Sequence, residues 1–229
     1  MDYAISDIHG HYGPFCRLMD KIKFGGDDRL FVLGDMIDKG PDSIRLARLL
    51  FCRPNVCFIL GNHEYDFLKY YRAMMQKTED YDRVFGELCR YFTDGNLLDW
   101  ETVDRFDLLP FYIETDDFIG VHAGIPVRNG ELAPVSQATC EQLVYDRRFK
   151  DPDILPQKGK CVLFGHTPVR YLTGKDEILL YPRAPRLAGS RSIADYCKAH
   201  LDTGTYLSGV LGCFSVGTCQ CHYAEERNF

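Results

Sequence analysis

The sequence predicts a layered α/β domain in which short buried strands alternate with amphipathic helices. The apolar runs Leu30–Leu33 and Cys161–Phe164 each stop at a glycine, which is typical of buried strands that end in a sharp turn. Between such runs, apolar residues recur at helical spacing, as they do over residues 13–22. The chain has 229 residues, 45% of them hydrophobic, so it can bury a sizeable core, and we expect one domain over residues 1–229.

The individual elements follow from the same patterns, taken in chain order. The predicted strands cover residues 3–5, 30–33, 55–60, 111–114, 118–122, 161–164, 178–181 and 198–202, and residues 206–223 alternate like a closing hairpin. The predicted helices open at Gly13-Pro14, span Pro41–Leu50, follow Asn62 as a helix cap, occupy much of residues 64–109 with a break near Asp94-Gly95-Asn96, and span residues 136–145. The segment Pro182–Arg191 is predicted to be a loop rich in cations.

Composition excludes several classes of protein. A net charge of −6 argues against a protein that coats nucleic acid, because such a protein presents a basic face. It leaves phosphate-bearing substrates open, since a bound metal ion can reverse the local sign of charge. No apolar stretch is long enough to span a bilayer, and the strand at residues 3–5 leaves no room for a signal peptide. We therefore expect a cytoplasmic protein without membrane partners.

Ten cysteines could indicate a disulfide scaffold, but their context favours free thiols. A chain that stays in a reducing compartment keeps its cysteines reduced, and most of these lie inside apolar runs. Cys219 and Cys221 stand next to His222 and could bind a metal ion. A second ligand pair at zinc-site spacing is absent from the sequence, so an alternating final strand is the simpler interpretation.

Five predicted strands end in loops that carry Asp, Asn or His beside glycine. These loops contain Asp7 and His9, Asp35 and Asp38, Asn62 and His63, His122, and His166. Ligands of layered α/β proteins bind outside the carboxyl ends of strands, so the five loops can converge on one site. Two acids at the end of one buried strand are costly unless a positive group lies between them.

The donors in these loops predict a centre with two metal ions. Oxygen and nitrogen ligands without thiolate suit manganese, iron or zinc. There are too many donors for one tetrahedral ion, whereas two ions about 3.5–4 Å apart, bridged by a carboxylate, would use them all. A water held between two such ions loses a proton near neutral pH and becomes a nucleophile. We expect two divalent ions, with manganese first and iron or zinc as alternatives.

Five short motifs, in this order, resemble those of the calcineurin-like metallophosphoesterases. They are Asp-x-His-Gly at Asp7, Gly-Asp-x-x-Asp-x-Gly at Gly34, Gly-Asn-His-Glu at Gly61, His-Ala-Gly at His122 and Gly-His-Thr at Gly165. More narrowly, they resemble the phosphoprotein phosphatase branch, which includes bacterial and bacteriophage Ser/Thr protein phosphatases and symmetrical diadenosine tetraphosphate hydrolases. The resemblance implies a four-layer α/β/β/α sandwich of two mixed sheets flanked by helices, with a dinuclear metal site at the carboxyl ends of the strands.

The resemblance also implies a role for each residue of these loops. Asp7 and His9 would hold the first metal ion, Asp35 would bridge both ions, Asn62, His122 and His166 would hold the second, and His63 would be a general acid oriented by Asp38. Histidine suits that role because it carries a proton near pH 7 and a partner carboxylate raises its pKa.

Two cations are candidates to contact the substrate phosphate, where attack on phosphorus builds negative charge. Lys39 follows Asp38 directly, and Arg147 lies in a segment that resembles the aromatic-x-Arg segment of the family, with Arg148 as the second choice. The branch has arginine where this chain has Lys39, and lysine keeps the charge but loses the planar fork. The branch also has glycine where this chain has Ser6.

The leading functional interpretation is a metal-dependent phosphoesterase similar to Ser/Thr protein phosphatases. The alternative is a symmetrical dinucleoside polyphosphate hydrolase, which would use the same metal residues. A lower-ranked alternative is a non-catalytic metal-binding interaction module. His200, beside Asp202, could support the metal site without being a ligand. The motifs leave open whether the substrate is a phosphoprotein or a nucleotide-type small molecule, which metals are native, how the chain oligomerises and what the Pro182–Arg191 segment does.

Overall fold

The computed structural model describes residues 1–76, 82, 83, 86, 88 and 100–226. The predicted break near Asp94-Gly95-Asn96 lies outside the described residues. The strands are β1 (Asp2–Ile5), β2 (Arg29–Val32), β3 (Val56–Phe58), β4 (Tyr112–Glu114), β5 (Phe118–Val121), β6 (Val127–Arg128), β7 (Glu131–Leu132), β8 (Cys161–Phe164), β9 (Leu179–Pro182), β10 (Tyr196–His200), β11 (Val210–Ser215) and β12 (Gln220–Glu225). The α-helices are α1 (Tyr12–Ile22), α2 (Ser43–Phe51), α3 (Asn62–Met75), α4 (Trp100–Asp107), α5 (Cys140–Tyr145), α6 (Arg170–Thr173) and α7 (Thr205–Ser208).

Two five-stranded mixed sheets form the centre of the described chain. The strand order is β12-β11-β1-β2-β3 in the first sheet and β4-β5-β8-β10-β9 in the second. Each sheet contains three neighbouring parallel strands, which are β1, β2 and β3 in the first and β5, β8 and β10 in the second. Antiparallel strands flank both sets. The carboxyl ends of parallel strands lie along one edge of a sheet, so each sheet brings three strand ends together.

Side chains alternate along the strands and divide the core into layers. Along β2, Leu30 and Val32 pack with residues of α1, α2 and α3, whereas Phe31 packs into the cluster between the two sheets. Along β8, Cys161 and Leu163 join that central cluster, and Val162 packs with residues of α5 on the outer face of the second sheet. This is the predicted sandwich of two sheets between layers of helices.

Several boundaries differ from the predictions for local physical reasons. The helix predicted over residues 136–145 is a 3₁₀ turn at Val135–Gln137 followed by α5. Helix α5 begins after Thr139, whose hydroxyl accepts a hydrogen bond from the Gln142 backbone N–H at 3.2 Å while the Gln142 side chain accepts from the Thr139 N–H at 2.9 Å. The closing hairpin begins at Val210 rather than Tyr206 because α7 occupies the preceding turn.

The segment Pro182–Arg191 is less irregular than predicted. Pro182 is the last residue of β9, and a 3₁₀ turn covers Pro185–Leu187. The sequence analysis did not predict the small hairpin of β6 and β7, whose strands have two residues each. No helix within the described ranges is both long and apolar enough to cross a lipid bilayer.

Candidate dinuclear metal centre

The loops that follow the parallel strands have unusual backbone geometry. The φ angles of Asp7, His9, Asp35 and His166 are 53°, 48°, 54° and 74°, in the left-handed region that residues with a Cβ rarely adopt. The loops hold one another in this shape, because the His9 and Gly10 N–H groups donate to the carbonyls of Asp35 and Met36, both at 2.8 Å. Strained backbone of this kind is typical of functional sites whose surroundings over-determine it.

Two glycines let these loops approach closely. A Cβ at Gly61 would collide with the Asp35 carboxylate and backbone, and a Cβ at Gly165 would collide with Ser6 and the Asp7 carboxylate. Glycine is therefore needed at both positions for the first sheet's acids to meet loops from β3 and β8.

Glu64 stabilises the loop after β2 from inside the protein. Its Oε2 accepts hydrogen bonds from the N–H groups of Asp35 at 2.8 Å and Gly61 at 3.0 Å. Its Oε1 accepts from Met36 at 2.8 Å and Ile37 at 3.1 Å. The side chain is fully buried. Glu64 lies in the Gly-Asn-His-Glu motif and had no predicted role, although an acid at the third position of a helix is a known capping signal.

One cluster of potential ligands joins the two sheets. Nitrogen and oxygen atoms of Asp35, His122 and His166 all lie within 4.8 Å of one another. The Asp35 Oδ2 atom is 3.4 Å from His122 Nε2. Asn62 Oδ1 completes the cluster, at 3.0 Å from His122 Nε2 and 2.8 Å from His166 Nδ1. These four residues are the ones that the resemblance assigned to the second metal ion and its bridge.

The electrostatic surroundings of His122 favour positive charge in this cluster. Its Nδ1 lies 2.8 Å from the Leu33 carbonyl, which accepts a hydrogen bond and directs Nε2 toward Asp35. Burial disfavours the charged ring, yet the carboxylates of Asp35 and Asp7 raise the pKa of His122 to about 10. A divalent ion would supply the same positive charge while Nε2 donates its lone pair. His166 Nε2 is also buried without a hydrogen-bond partner among the described residues, so the donor set fits a metal ion.

A second cluster shares Asp35 with the first. It consists of His9, Asp35 and His63, again with donor atoms within 4.8 Å of one another. Asp35 Oδ2 is 3.7 Å from Nε2 of both histidines, and Asp7 Oδ1 lies 3.9 Å from His9 Nε2. Burial lowers the pKa of His9 to about 3, so its ring is neutral and can act as a ligand. Asp35 is therefore the residue that the two clusters have in common.

His63 is tied to a different carboxylate through its other nitrogen. Its Nδ1 lies 2.7 Å from Asp38 Oδ2. Burial opposes protonation of the ring, but the carboxylates of Asp35 and Asp38 outweigh it and raise the pKa of His63. A histidine held in this way has a proton to give near neutral pH.

Lys39 lies against the His9 ring. Its Nζ is 3.2 Å from His9 Nε2 and 3.9 Å from the centre of the Tyr206 ring. Tyr206 also contacts His9, with ring centres 5.3 Å apart at 85°. The ammonium group is therefore at the edge of the cluster formed by His9, Asp35 and His63. Tyr206 was not predicted to lie near this site, because it is far from Lys39 in the sequence.

The structure separates the two arginines that follow α5. Arg148 forms an ion pair with Asp146 at 2.7 Å and is thereby occupied. Arg147 is exposed, and the described part of the chain offers its guanidinium no ion-pair partner. Burial and the charge of His122 lower the pKa of His166 to about 3, and the nearby charge of Arg147 adds to this effect. Arg147 is the better placed of the two to meet an anion at the site.

His200 does not support the metal cluster through Asp202. Its ring stacks on Phe164, with centres 4.4 Å apart and an interplanar angle of 21°. The ring lies close to the backbone of Gly165 and Thr167, and burial outweighs that contact and lowers the pKa of His200 to about 3. Asp202 accepts a hydrogen bond from the Gly204 N–H at 2.8 Å instead. His200 is thus a packing residue beneath the loop after β8.

Comparison with known proteins agrees with this geometry. Residues 3–200 match the family model of the calcineurin-like phosphoesterases. The chain belongs to this family. It is a metallophosphoesterase by family, as the five motifs predicted.

Among curated relatives, two symmetrical bis(5'-nucleosyl)-tetraphosphatases are representative. The one from Pseudomonas fluorescens is 30% identical over 181 residues, which cover 75% of this chain and 61% of that protein. The one from Nitrosomonas europaea is 30% identical over 151 residues, 65% of this chain and 54% of that protein. This metallophosphoesterase spans about half the length of the curated relatives that it matches.

Solved structures show the same fold at low sequence identity. A crystal structure of a provisionally assigned diadenosine tetraphosphatase superposes with a TM-score of 0.72 at 18% identity, covering 100% of this chain and 94% of that one. A metallophosphoesterase from Sphaerobacter thermophilus has a TM-score of 0.59 at 16% identity, covering 99% and 89%.

Proposed function

We propose that this metallophosphoesterase hydrolyses dinucleoside tetraphosphates between the second and third phosphates. The observation that carries the proposal is the similarity, across 181 residues, to a relative named symmetrical bis(5'-nucleosyl)-tetraphosphatase. This supports the alternative of the sequence analysis over its leading interpretation, a Ser/Thr protein phosphatase. The clustered ligands and the two cations, Lys39 and Arg147, suit either substrate, so the preference rests on the relatives.

The metal ions would be held by residues from both sheets. Asp7, His9 and Asp35 would hold one, and Asp35, Asn62, His122 and His166 the other. When bound, two divalent ions activate water for attack on phosphorus and offset the charge of the phosphate oxygens. The native metal is not assigned, although the oxygen and nitrogen donors suit manganese, iron or zinc.

His63 would act as the general acid of the reaction. As water attacks the phosphorus, the bond to the oxygen that bridges the two central phosphates breaks, and that oxygen leaves with a negative charge. His63, which Asp38 orients and keeps protonated, would donate its proton to this oxygen. The products are two nucleoside diphosphates. Lys39 and Arg147 would contact the phosphates and counter the charge that grows on them.

The proposal is tested by parallel assays of the purified chain with manganese added. We expect hydrolysis of diadenosine tetraphosphate to adenosine diphosphate alone, at a kcat/KM well above that for a phosphoserine peptide. A preference for the phosphopeptide would overturn the substrate assignment. Release of adenosine monophosphate and triphosphate would overturn the symmetrical cleavage.

Two substitutions test the residue roles in the same assay. Asp35→Asn should deplete bound metal, since it removes the shared carboxylate, whereas His63→Asn should keep metal and lose about 10²–10⁴-fold in rate. Metal content is measured by elemental analysis, with Asp153→Asn as a control at an exposed position. Full metal content in Asp35→Asn would contradict the bridging role.

A further inference from the structure

A cavity of about 500 Å³ lies next to the metal cluster. Its lining includes the polar residues His11, Asp176, Thr205, Tyr206, Glu225 and Glu226. Tyr206 also contacts the His9 ring and the Lys39 ammonium, so one side chain borders both the cavity and the metal loops. A molecule in the cavity would therefore be a short distance from a phosphate at the metal ions.

Two buried side chains in this lining have polar atoms without a hydrogen-bond partner. They are Thr205 Oγ1, in a residue that is 1% exposed, and His11 Nε2, in a residue that is 9% exposed. Buried polar atoms are nearly always hydrogen-bonded, because leaving one unsatisfied destabilises the fold. Both residues line the cavity, so a polar molecule bound there would satisfy these atoms once the side chains turn toward it.

The charge of the lining decides which part of a substrate fits. Glu225 and Glu226 contribute carboxylates, and Glu226 Oε2 lies 3.3 Å from His11 Nδ1. Asp176 is already paired with Arg170 at 2.9 Å. Carboxylates repel phosphate and accept hydrogen bonds from hydroxyl groups, while Lys39, whose ammonium lies over the Tyr206 ring, attracts phosphate. The cavity thus suits an uncharged, hydroxyl-bearing group attached to a phosphate chain.

We propose that this cavity binds a nucleoside end of the substrate. The ribose hydroxyls would donate hydrogen bonds to Glu226 and Thr205, and His11 would bond the sugar or base through its free nitrogen. The phosphates would run past Tyr206 and Lys39 to the metal ions. The inference rests on the proposed function, since it takes the substrate to be a dinucleoside polyphosphate.

A binding experiment tests the cavity without metal or turnover. The metal-free chain is titrated with adenosine by isothermal calorimetry. We expect saturable binding that weakens about tenfold in Thr205→Val and in Glu226→Gln, with Glu131→Gln, an exposed residue outside the cavity, as the matched control. The ligand 2',3'-dideoxyadenosine should bind about tenfold more weakly than adenosine to the unaltered chain. Equal affinity for both ligands, or unchanged affinity in both variants, would overturn the proposal.

A kinetic comparison separates this inference from the proposed function. For the metal-loaded enzyme, the ratio of KM for diadenosine tetraphosphate to KM for p-nitrophenyl phosphate should rise about tenfold in Thr205→Val. If the enzyme hydrolyses diadenosine tetraphosphate but Thr205→Val leaves the KM ratio unchanged, the nucleoside role of the cavity is refuted and the proposed function stands. Adenosine binding that the two variants weaken, in a chain that does not hydrolyse diadenosine tetraphosphate, would refute the function and support the nucleoside site.

Discussion

Two carboxylates control the protonation of His63, one near each ring nitrogen. Asp38 Oδ2 is 2.7 Å from Nδ1, and Asp35 Oδ2 is 3.7 Å from Nε2. Metal ions bound by Asp35 would occupy that carboxylate, which leaves Asp38 as the partner that keeps the ring protonated. The charge of Asp38 therefore decides up to which pH His63 can donate its proton.

Replacing Asp38 by asparagine should move the basic limb of the pH–rate profile to lower pH. The Asp38 carboxylate raises the pKa of His63, so removing its charge lowers that pKa and depletes the protonated acid earlier as pH rises. We expect a shift of about one pH unit or more in the profile of kcat/KM for diadenosine tetraphosphate. Asp42→Asn, in the same loop, should leave the limb in place. An unmoved limb in Asp38→Asn would show that another group is the acid.

At the scale of elements, Glu64 connects the start of α3 with the loop after β2. Each of its oxygens accepts hydrogen bonds from two backbone N–H groups. The donors are Gly61 and Asp35 at one oxygen and Met36 and Ile37 at the other. The four donors all face a buried carboxylate, and water is excluded from this position. The helix and the loop that carries Asp35 are thus held as one unit.

The substitution Glu64→Gln should destabilise this unit although it keeps the size of the side chain. One of the two oxygens becomes an NH₂ group, which then points at two N–H donors and leaves them unsatisfied. We expect the free energy of unfolding to fall by about 2–4 kcal/mol, since hydrogen bonds to charged groups contribute about 1.5–3 kcal/mol each. Urea denaturation measures the change, and Glu141→Gln at an exposed position is the control. A loss below about 0.5 kcal/mol would contradict the role assigned to Glu64.

At the scale of the whole molecule, the candidate ligands come from both sheets. Asp35 and Asn62 follow strands of the first sheet, whereas His122 and His166 follow strands of the second. The central apolar cluster holds the sheets face to face, and metal ions at their carboxyl edge would join them a second time. Binding of metal should therefore stabilise the fold as a whole.

Removal of metal should lower the melting temperature. At a manganese concentration about 100 times its dissociation constant, binding to the folded state alone adds about 2.7 kcal/mol. For a chain of this size that corresponds to roughly 5–10 °C, measured by scanning calorimetry with manganese and then with a chelator. Asp35→Asn should show a much smaller manganese-dependent shift. Equal shifts in this variant and the unaltered chain would place the stabilising ion elsewhere.

The fold class and the membership of residues in the candidate site could be predicted from sequence, because short strands ending in Gly, Asp, Asn or His leave a local signal. Asp35, His122 and His166 do lie together, although their metal-binding roles stay predictions. The contact of Glu64 with Gly61 leaves a local capping signal, but its contacts with the loop after β2 and the contacts of Tyr206 could not be predicted, because those partners are distant in the chain. The start of α5 was misplaced since the capping pair Thr139 and Gln142 was overlooked.

The left-handed backbone at Asp7, Asp35 and His166 has a consequence for the history of such proteins. Asparagine and glycine tolerate this conformation, whereas β-branched side chains do not. A descendant released from selection for hydrolysis can therefore lose its ligands to asparagine or glycine and still close the same loops. The loop conformations would then persist after activity is lost. An inactive homologue would be distinguished from an active one by the residues at these positions rather than by its fold.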